Sequence, residues 1–309
     1  MSPPSGVDGD AGIDGGASGG ILYVVATPIG NLDDVTLRAI EVLRAVPLIA
    51  AEDTRLTRRL LIRHGVSNRL TSFHARSPHS RLDALLDHLR GGADLAVVTD
   101  AGTPTVSDPG ADLVVAWAAA GGRVVPIPGA SAVLAAVAAS GVAGPRWAFE
   151  GFLPRSGRDR RERLVAIAGD SRGTVLFEAP TRVAATLRDL AAACGEGRPA
   201  AVARELTKVH EQIVRSPLGD LKRAVSDGSI PARGEFVVIV GMAQPPARED
   251  QDEDALAAAL REVGRLVDSG VARGDAARRV AADTRIPRRR LYEAPDRPVR
   301  PPRTTADDV

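Results

Sequence analysis

Short, wholly apolar runs alternate with amphipathic stretches through the first half of the chain. ILYVVA (21–26), LIAA (48–51), DLAVVT (94–99) and RVVPI (123–127) are bounded by Gly, Pro, Asp or Asn. Runs of this length between turn residues predict strands buried on both faces. Helical spacing fills the gaps. Leu37, Ile40 and Leu43 follow Asp33 or Asp34, either of which can cap a helix over 35–46, and Pro47 stops it. A basic helix is predicted up to His64 and Gly65, another over 80–90 before Gly91-Gly92, and a third over ADLVVAWAAA before Gly121-Gly122. Strands alternating with helices predict right-handed crossovers and a largely parallel sheet.

The rhythm changes after residue 128. SAVLAAVAAS (131–140) reads as a helix, while WAFEGF (147–152), TVLFE (174–178), AAVARE (200–205), VHEQIVRS (209–216) and EFVVIVG (235–241) read as strands. Only LTK separates AAVARE from VHEQIVRS, a spacing that suits a hairpin and a mixed second sheet. The pattern predicts an α/β protein with one α/β domain over 21–128 and a second over 129–241. QPPAREDQDED makes 242–254 a linker by composition, and 255–294 forms a small basic helical unit. Residues 1–20, rich in Gly, Ser, Pro and Asp, and residues 295–309 are expected to be disordered tails.

Composition narrows the class. With 309 residues, 44% of them hydrophobic, the chain can bury a sizeable core. No apolar run reaches a membrane span, and the first residues lack the basic start and apolar centre of a signal peptide. The single Cys194 excludes a disulfide framework and a multi-cysteine metal site, and suits a small apolar position near a helix end. The expectation is a cytoplasmic protein with no metal and no membrane contact. A net charge of +1 predicts no global affinity for polyanions, but RSGRDRRER (155–163) and RRR (288–290) are locally dense in Arg. Such patches either contact phosphates or form a solvated helix face. Only Lys208 and Lys222 among 40 basic residues are lysines. A Lys kept against that bias is a candidate for chemistry, because an ammonium can lose its proton and a guanidinium cannot.

Three strand ends carry shaped small-residue loops: ATPIGNLDD (26–34), VTDAGTPTVSDPG (98–110) and PIPGASA (126–132). Loops of this kind at strand ends point to one crevice holding a small polar ligand. The chain has no G-x-x-x-x-G-K-[ST] phosphate loop, no G-x-G-x-x-G after its first strand, no H-E-x-x-H and no G-x-S-x-G. These absences weigh against phosphoryl transfer, dinucleotide binding, zinc hydrolysis and serine nucleophiles.

Eight blocks occur in order: ATPIGNLDDVTLRA, IAAEDTR, VTDAGTPTVSDPG, PIPGASA, EGFLPR, FEAPTR, RELTKVHE and GEFVVIV. Together they resemble the ribosomal RNA small subunit methyltransferase I family of the tetrapyrrole (corrin/porphyrin) methylase superfamily, over residues 21 to about 241 and again at the LYEA end of the terminal unit. The resemblance implies two α/β domains of the tetrapyrrole methylase type with S-adenosylmethionine folded in the cleft between them. It implies 2′-O-methylation of a cytidine ribose in the 16S rRNA decoding region, with the small ribosomal subunit as partner and a homodimer as the common assembly. Two departures stand out. Thr181 occupies a position that is usually His, and HARSPHSR lacks the usual His-Asn pattern.

Candidate cofactor contacts are Pro28, Asp100, Gly102, Thr103, Ser107, Ser131, Ala132, Phe177 and Leu206. Gly102 permits close backbone approach, and Asp100 and Ser131 offer hydrogen bonds to the ligand's polar groups. Asp100 alternatively makes a loop-stabilising turn, Ser131 a helix cap and Phe177 a core contact. For catalysis the candidates are Lys208, as base or oxyanion stabiliser, and Glu52 and Asp53, as proton acceptors or ribose ligands. Lys208 alternatively contacts phosphate or pairs with Glu205, and Asp53 alternatively caps a helix. Candidate RNA contacts are Arg55, Arg155, Arg158, Arg160, Arg161, Arg163, Arg288, Arg289 and Arg290. Other functions compatible with the residues are a tetrapyrrole-precursor methylase and a non-catalytic ribosome-binding factor.

Overall fold

A computed structural model describes residues 19–243, 248–284 and 286–292. Contacts divide the chain into two units, Met1–Ala243 and Gln244–Val309. The first unit begins with a parallel sheet of β1 (Leu22–Val25), β2 (Leu48–Ala51), β3 (Leu70–Ser72), β4 (Leu95–Val98) and β5 (Val124–Ile127), in the order β3-β2-β4-β1-β5. Leu22 is in register with Leu95 on one side and Val124 on the other. Its crossover helices are α1 (Leu37–Ala45), α2 (Thr54–Arg63), α3 (His79–Arg90) and α4 (Ala111–Ala119). One face of the sheet is closed by a core around Leu89, Leu113 and Trp117, the other by a core around Leu43, Ile49 and Leu61. Two-sided burial explains why the strands read as continuous apolar runs rather than alternating ones.

The second sheet joins β6 (Trp147–Phe152), β7 (Gly173–Glu178), β8 (Pro199–Arg204), β9 (Gln212–Pro217) and β10 (Phe236–Val240) in the order β6-β7-β10-β8-β9. β6 and β7 are parallel and the remaining pairs antiparallel, which is the expected mixed sheet. α5 (Ala132–Ser140) lies on one face, where Val133 and Ala136 pack with Val175, Ala201 and Ile239. The opposite face is covered by α6 (Gly157–Gly169), α7 (Val183–Cys194) and α8 (Leu218–Ser226). Cys194 ends α7 against this core, where burial raises its thiol pKa despite the Arg198 charge.

The second unit contains α9 (Arg248–Asp268), α10 (Arg273–Thr284) and α11 (Arg288–Tyr292), packed through Ala259, Val263, Ala277, Val280 and Leu291. Among the described residues, no helix is long and apolar enough to cross a membrane.

Several local expectations are corrected. Residues 32–34 form a separate 3-10 turn, and α1 starts later because the Thr36 hydroxyl, not Asp33 or Asp34, accepts the Ala39 amide. The loop between β8 and β9 spans 205–211 rather than LTK alone. Helix α9 extends into the stretch read as linker. Gly19 and Gly20 belong to the fold rather than to the tail: the Gly20 amide donates to Leu89 O at 2.7 Å. The rest of that tail, residues 1–18, and the tail at 295–309 lie outside the described residues.

Candidate active site

Parallel pairing puts the loops that follow β1, β2, β4 and β5 at one edge of the first sheet, the usual location of a ligand crevice in open α/β sheets. Two of these loops are stitched together. The Thr27 amide donates to Gly102 O at 2.8 Å, and the Gly102 amide donates to Thr27 O at 3.0 Å. The Thr27 hydroxyl adds a bond to Thr99 O at 3.0 Å. The loop after β4 is strained: Thr105 and Ser107 have φ of 75° and 65°, in the left-handed region that non-glycine residues rarely occupy. Backbone strain held this way is common at ligand sites.

A cavity of about 350 Å³ opens between this loop and the second sheet, within the range of about 300–1,000 Å³ for small-molecule sites. Six of the sequence candidates line it: Gly102, Thr103, Ser107, Ser131, Ala132 and Phe177. Ser131 also caps α5 by accepting the Leu134 amide, so the same residue lines the cavity and starts the helix. Phe177 lines the cavity and packs against Phe149 and Phe152, with ring centroids 5.0 and 5.6 Å away. Apolar walls, the start of α5 and close backbone form a setting that fits a nucleoside carrying a polar tail.

Pro28 and Asp100 line a neighbouring pocket of about 530 Å³, together with Lys208, Arg59, Leu32 and Leu56. The two spaces share Ile29, Ala101 and Glu235. Leu206 lines neither. It is buried in the α5-side core of the second sheet, which also includes Ile29 and Val133, so its side chain supports the site from behind.

Lys208 sits in the turn after β8, where Glu205 and Thr207 have φ of 50° and 65°. This turn docks on the loop after β1: the Asn31 amide donates to the Thr207 hydroxyl at 3.0 Å. A Cβ on Gly30 would lie 2.5 Å from Lys208 Cγ and 3.1 Å from Leu206 O, so the approach requires glycine. Lys208 Nζ donates to Glu205 Oε1 at 2.8 Å and to Glu235 Oε2 at 3.0 Å. Burial pulls the pKa of this ammonium down, but the two carboxylates together outweigh it and raise the pKa above the ordinary lysine value. Lys208 is therefore held as a cation between two carboxylates.

The acidic candidates separate clearly. Asp53 caps α2 by accepting the Arg55 amide at 2.8 Å, and Arg55 pairs with its carboxylate at 2.6 Å. These hydrogen bonds hold its pKa at about 2, so Asp53 is a helix cap and a poor proton acceptor. Arg55 is thereby engaged locally, although its side chain is exposed. Glu52 accepts the Asp100 amide at 3.3 Å, and Asp100 accepts the Asp53 amide at 2.9 Å. Burial raises the pKa of both Glu52 and Asp100, and neighbouring carboxylates add to the effect.

Asp108, within VTDAGTPTVSDPG but not among the chosen candidates, lines the cavity. Burial, followed by the charges of Glu52 and Asp100, pushes its carboxyl up to about 6. Glu178 and Glu235 also line the cavity and were not chosen from the sequence. Glu178 is fully buried. It accepts the Thr186 hydroxyl at 2.5 Å and the Ala179 amide at 2.9 Å, and it pairs with Arg182 at 3.2 Å. The available signal was block membership: Asp108 lies in VTDAGTPTVSDPG, Glu178 in FEAPTR and Glu235 in GEFVVIV.

The arginines also divide. Arg160 is buried and every nitrogen of its guanidinium is used: Nε and Nη2 bond Asp189, Nη2 also bonds Thr186, and Nη1 bonds Pro154 O. Four of its five donors are engaged inside the fold and the side chain is buried, so Arg160 serves the structure of the second sheet's helical face rather than an exposed phosphate contact. Arg155, Arg158, Arg161 and Arg163 are exposed; Arg158 pairs with Glu162 and Arg163 with Glu150. Arg288, Arg289 and Arg290 are exposed on α11 in the other unit. Among the described residues, no group of three or more His, Cys, Asp or Glu is arranged to hold a metal ion.

Comparison with known proteins agrees with this architecture. The family model of Tetrapyrrole (Corrin/Porphyrin) Methylases matches residues 21–222. Among solved structures, the cobalamin biosynthetic enzyme cobalt precorrin-4 methyltransferase CbiF aligns with a TM-score of 0.56 at 21% identity, covering 73% of this chain and 96% of that one. A uroporphyrin-III C-methyltransferase from Thermus thermophilus, complexed with S-adenosylhomocysteine, aligns with a TM-score of 0.52 at 19% identity, covering 72% and 97%. At these identities the likeness shows the fold. Sequence relatives are much nearer. Ribosomal RNA small subunit methyltransferase I of a Synechocystis species is 45% identical over 89% of this chain and 96% of its own length. The protein of that name from Escherichia coli O157:H7 is 41% identical over 81% and 85%, and that from Bacillus subtilis is 37% identical over 89% and 94%. With likeness of this degree over most of its length, the chain belongs to the ribosomal RNA small subunit methyltransferase I family, within the tetrapyrrole methylases.

Proposed function

We propose that the chain transfers a methyl group from S-adenosylmethionine to the 2′-hydroxyl of a cytidine ribose in the decoding region of 16S rRNA, acting on the small ribosomal subunit as a homodimer. The observation that carries the reading is adjacency. A cavity sized for the cofactor and a second pocket holding a fixed cation share Ile29, Ala101 and Glu235, so donor and acceptor can meet in line.

S-adenosylmethionine, when bound, supplies an already activated methyl group, and the chain's task is alignment and charge. Gly102, Thr103, Ser107, Ser131, Ala132 and Phe177 would hold it, with Phe177 and Val237 offering an apolar seat for a base. The start of α5 at Ser131 and Ala132 is a favourable place for a carboxylate. Lys208 presents its ammonium in the adjoining pocket, where it stabilises the oxyanion that develops as the ribose hydroxyl loses its proton. Glu52 is a better proton acceptor than Asp53, because burial keeps its pKa above the ordinary carboxylate value. Leu32 and Leu56 give the acceptor pocket an apolar side suited to an unstacked base. Arg155, Arg158, Arg161, Arg163 and the Arg288–Arg290 run supply sequence-neutral phosphate contacts.

The test is methyl transfer from labelled S-adenosylmethionine to small subunits from cells lacking the enzyme. The expected result is label in 16S rRNA. Label on an added tetrapyrrole precursor, with none on RNA, would overturn the reading.

A further inference from the structure

The cavity between the β4 loop and the second sheet is lined by three carboxylates and, among the described residues, by no Lys, Arg or His. Two of the three already have counter-ions. Glu178 is held by Arg182 and Thr186, and Glu235 by Lys208. Asp108 is different: it is half-buried on the wall, and no described residue bonds or pairs with its side chain. Its charged neighbours are the carboxylates Glu52 and Asp100, whose negative charges make an uncompensated anion there still less favourable. The strained loop, with Ser107 in the left-handed region beside it, nevertheless holds Asp108 at the cavity. A half-buried acid with no internal partner is costly in the empty fold and becomes favourable when a cation fills the space.

We propose that Asp108 is the counter-ion for the positive charge of the bound cofactor. The inference rests on the reading of the cavity as the S-adenosylmethionine site. That cofactor carries two cations, the α-ammonium and the sulfonium, and a carboxylate that the start of α5 can receive. Among the described residues, the wall has no other free anion to offer the positive end. In this role Asp108 selects a cation-bearing ligand over neutral nucleosides of the same size, which is a specificity the apolar walls alone would not provide.

The experiment is calorimetric titration of the full chain and of Asp108→Asn and Asp108→Glu with S-adenosylmethionine and with S-adenosylhomocysteine, which lacks the sulfonium. Melting curves of each variant check the fold, and Asp108→Ala serves as a second neutral variant. Asp108→Asn is expected to weaken S-adenosylmethionine about 10- to 100-fold, the worth of a charged hydrogen bond, while Asp108→Glu retains most of the affinity. Equal loss for both ligands assigns the contact to the ammonium, and loss confined to S-adenosylmethionine assigns it to the sulfonium. Neutral variants that bind S-adenosylmethionine as tightly as the unmodified chain would overturn the inference and leave the functional reading standing. Failure of the unmodified chain to bind it would remove both.

Discussion

Replacing Asp108 by Asn should stabilise the ligand-free protein at neutral pH, the opposite of what most substitutions beside a loop do. The folded carboxyl titrates at about 6 against an ordinary value of 3.8, a rise caused first by burial and then by Glu52 and Asp100. A raised acid pKa means that the folded state binds the proton more tightly than the unfolded chain. Stability therefore falls as pH rises from about 4 to about 6, and the full penalty is present above that window. A shift of about two units corresponds to about 3 kcal/mol at most. Asp108 is only half-buried, so solvent screening reduces this to about 1–2 kcal/mol. Among the described residues, no basic side chain lines the cavity to offset the charge. Urea unfolding of both proteins at pH 4 and pH 7.5 measures the effect, because subtracting the two curves cancels titrations they share. The variant is expected to gain about 1–2 kcal/mol at pH 7.5 and close to nothing at pH 4. An equal gain at both pH values, or a loss at pH 7.5, would refute the claim that an uncompensated charge at Asp108 strains the empty fold.

Arg160→Ala should cost about 1.5–3 kcal/mol in chemical denaturation, because it removes charged hydrogen bonds to Asp189, Thr186 and Pro154 O and leaves Asp189 with only the exposed Arg188, whereas exposed Arg161→Ala should change stability by less than about 0.5 kcal/mol. The Arg161 change should instead weaken binding to small subunits and reduce the salt dependence of that binding, which a filter assay over a salt series reads directly. Lys208→Gln should lower single-turnover methyl transfer about 10²- to 10³-fold while leaving cofactor affinity within a few fold, as expected for loss of an oxyanion stabiliser; unchanged turnover would reduce Lys208 to the Glu205–Lys208–Glu235 ion pair. Gly30→Ala should push on Lys208 and the Leu206 carbonyl and cost about 1–3 kcal/mol, a loss visible as a lower melting temperature.

The sheets were legible in the sequence because their signal is local. Buried parallel strands such as LIAA and LAVV are unbroken apolar runs, and WAFEGF was read at its observed limits. Helix α6 was hidden by one residue. Its inward positions are Arg160, Leu164 and Ile167, and an arginine at an apolar position broke the helical period and made the segment look like a basic surface. The partner that permits this burial, Asp189, lies on α7, 29 residues away, beyond the reach of any local pattern. β3 was missed because three residues with no buried side chain carry almost no pattern. At the site, the loop motifs identified six of the cavity-lining residues, since tight turns have strong sequence signatures. Charge states were not legible. Asp53 and Asp108 are both acids at strand-end loops, yet Arg55 lowers one and burial raises the other. Lys208 was visible as a rare lysine, but its second carboxylate, Glu235, lies 27 residues on in the chain and reaches it only through the pairing of β10 with β8.

The most direct test of the central claim is to map the methyl group transferred to small subunits that lack the modification. The account requires the label on one cytidine ribose of the decoding region, with the phosphodiester bond 3′ to it resistant to alkali, because the 2′-hydroxyl that would attack it is blocked. Label on a base, or a bond that alkali still cleaves, would contradict ribose 2′-O-methylation and the acceptor chemistry assigned to the Lys208 pocket.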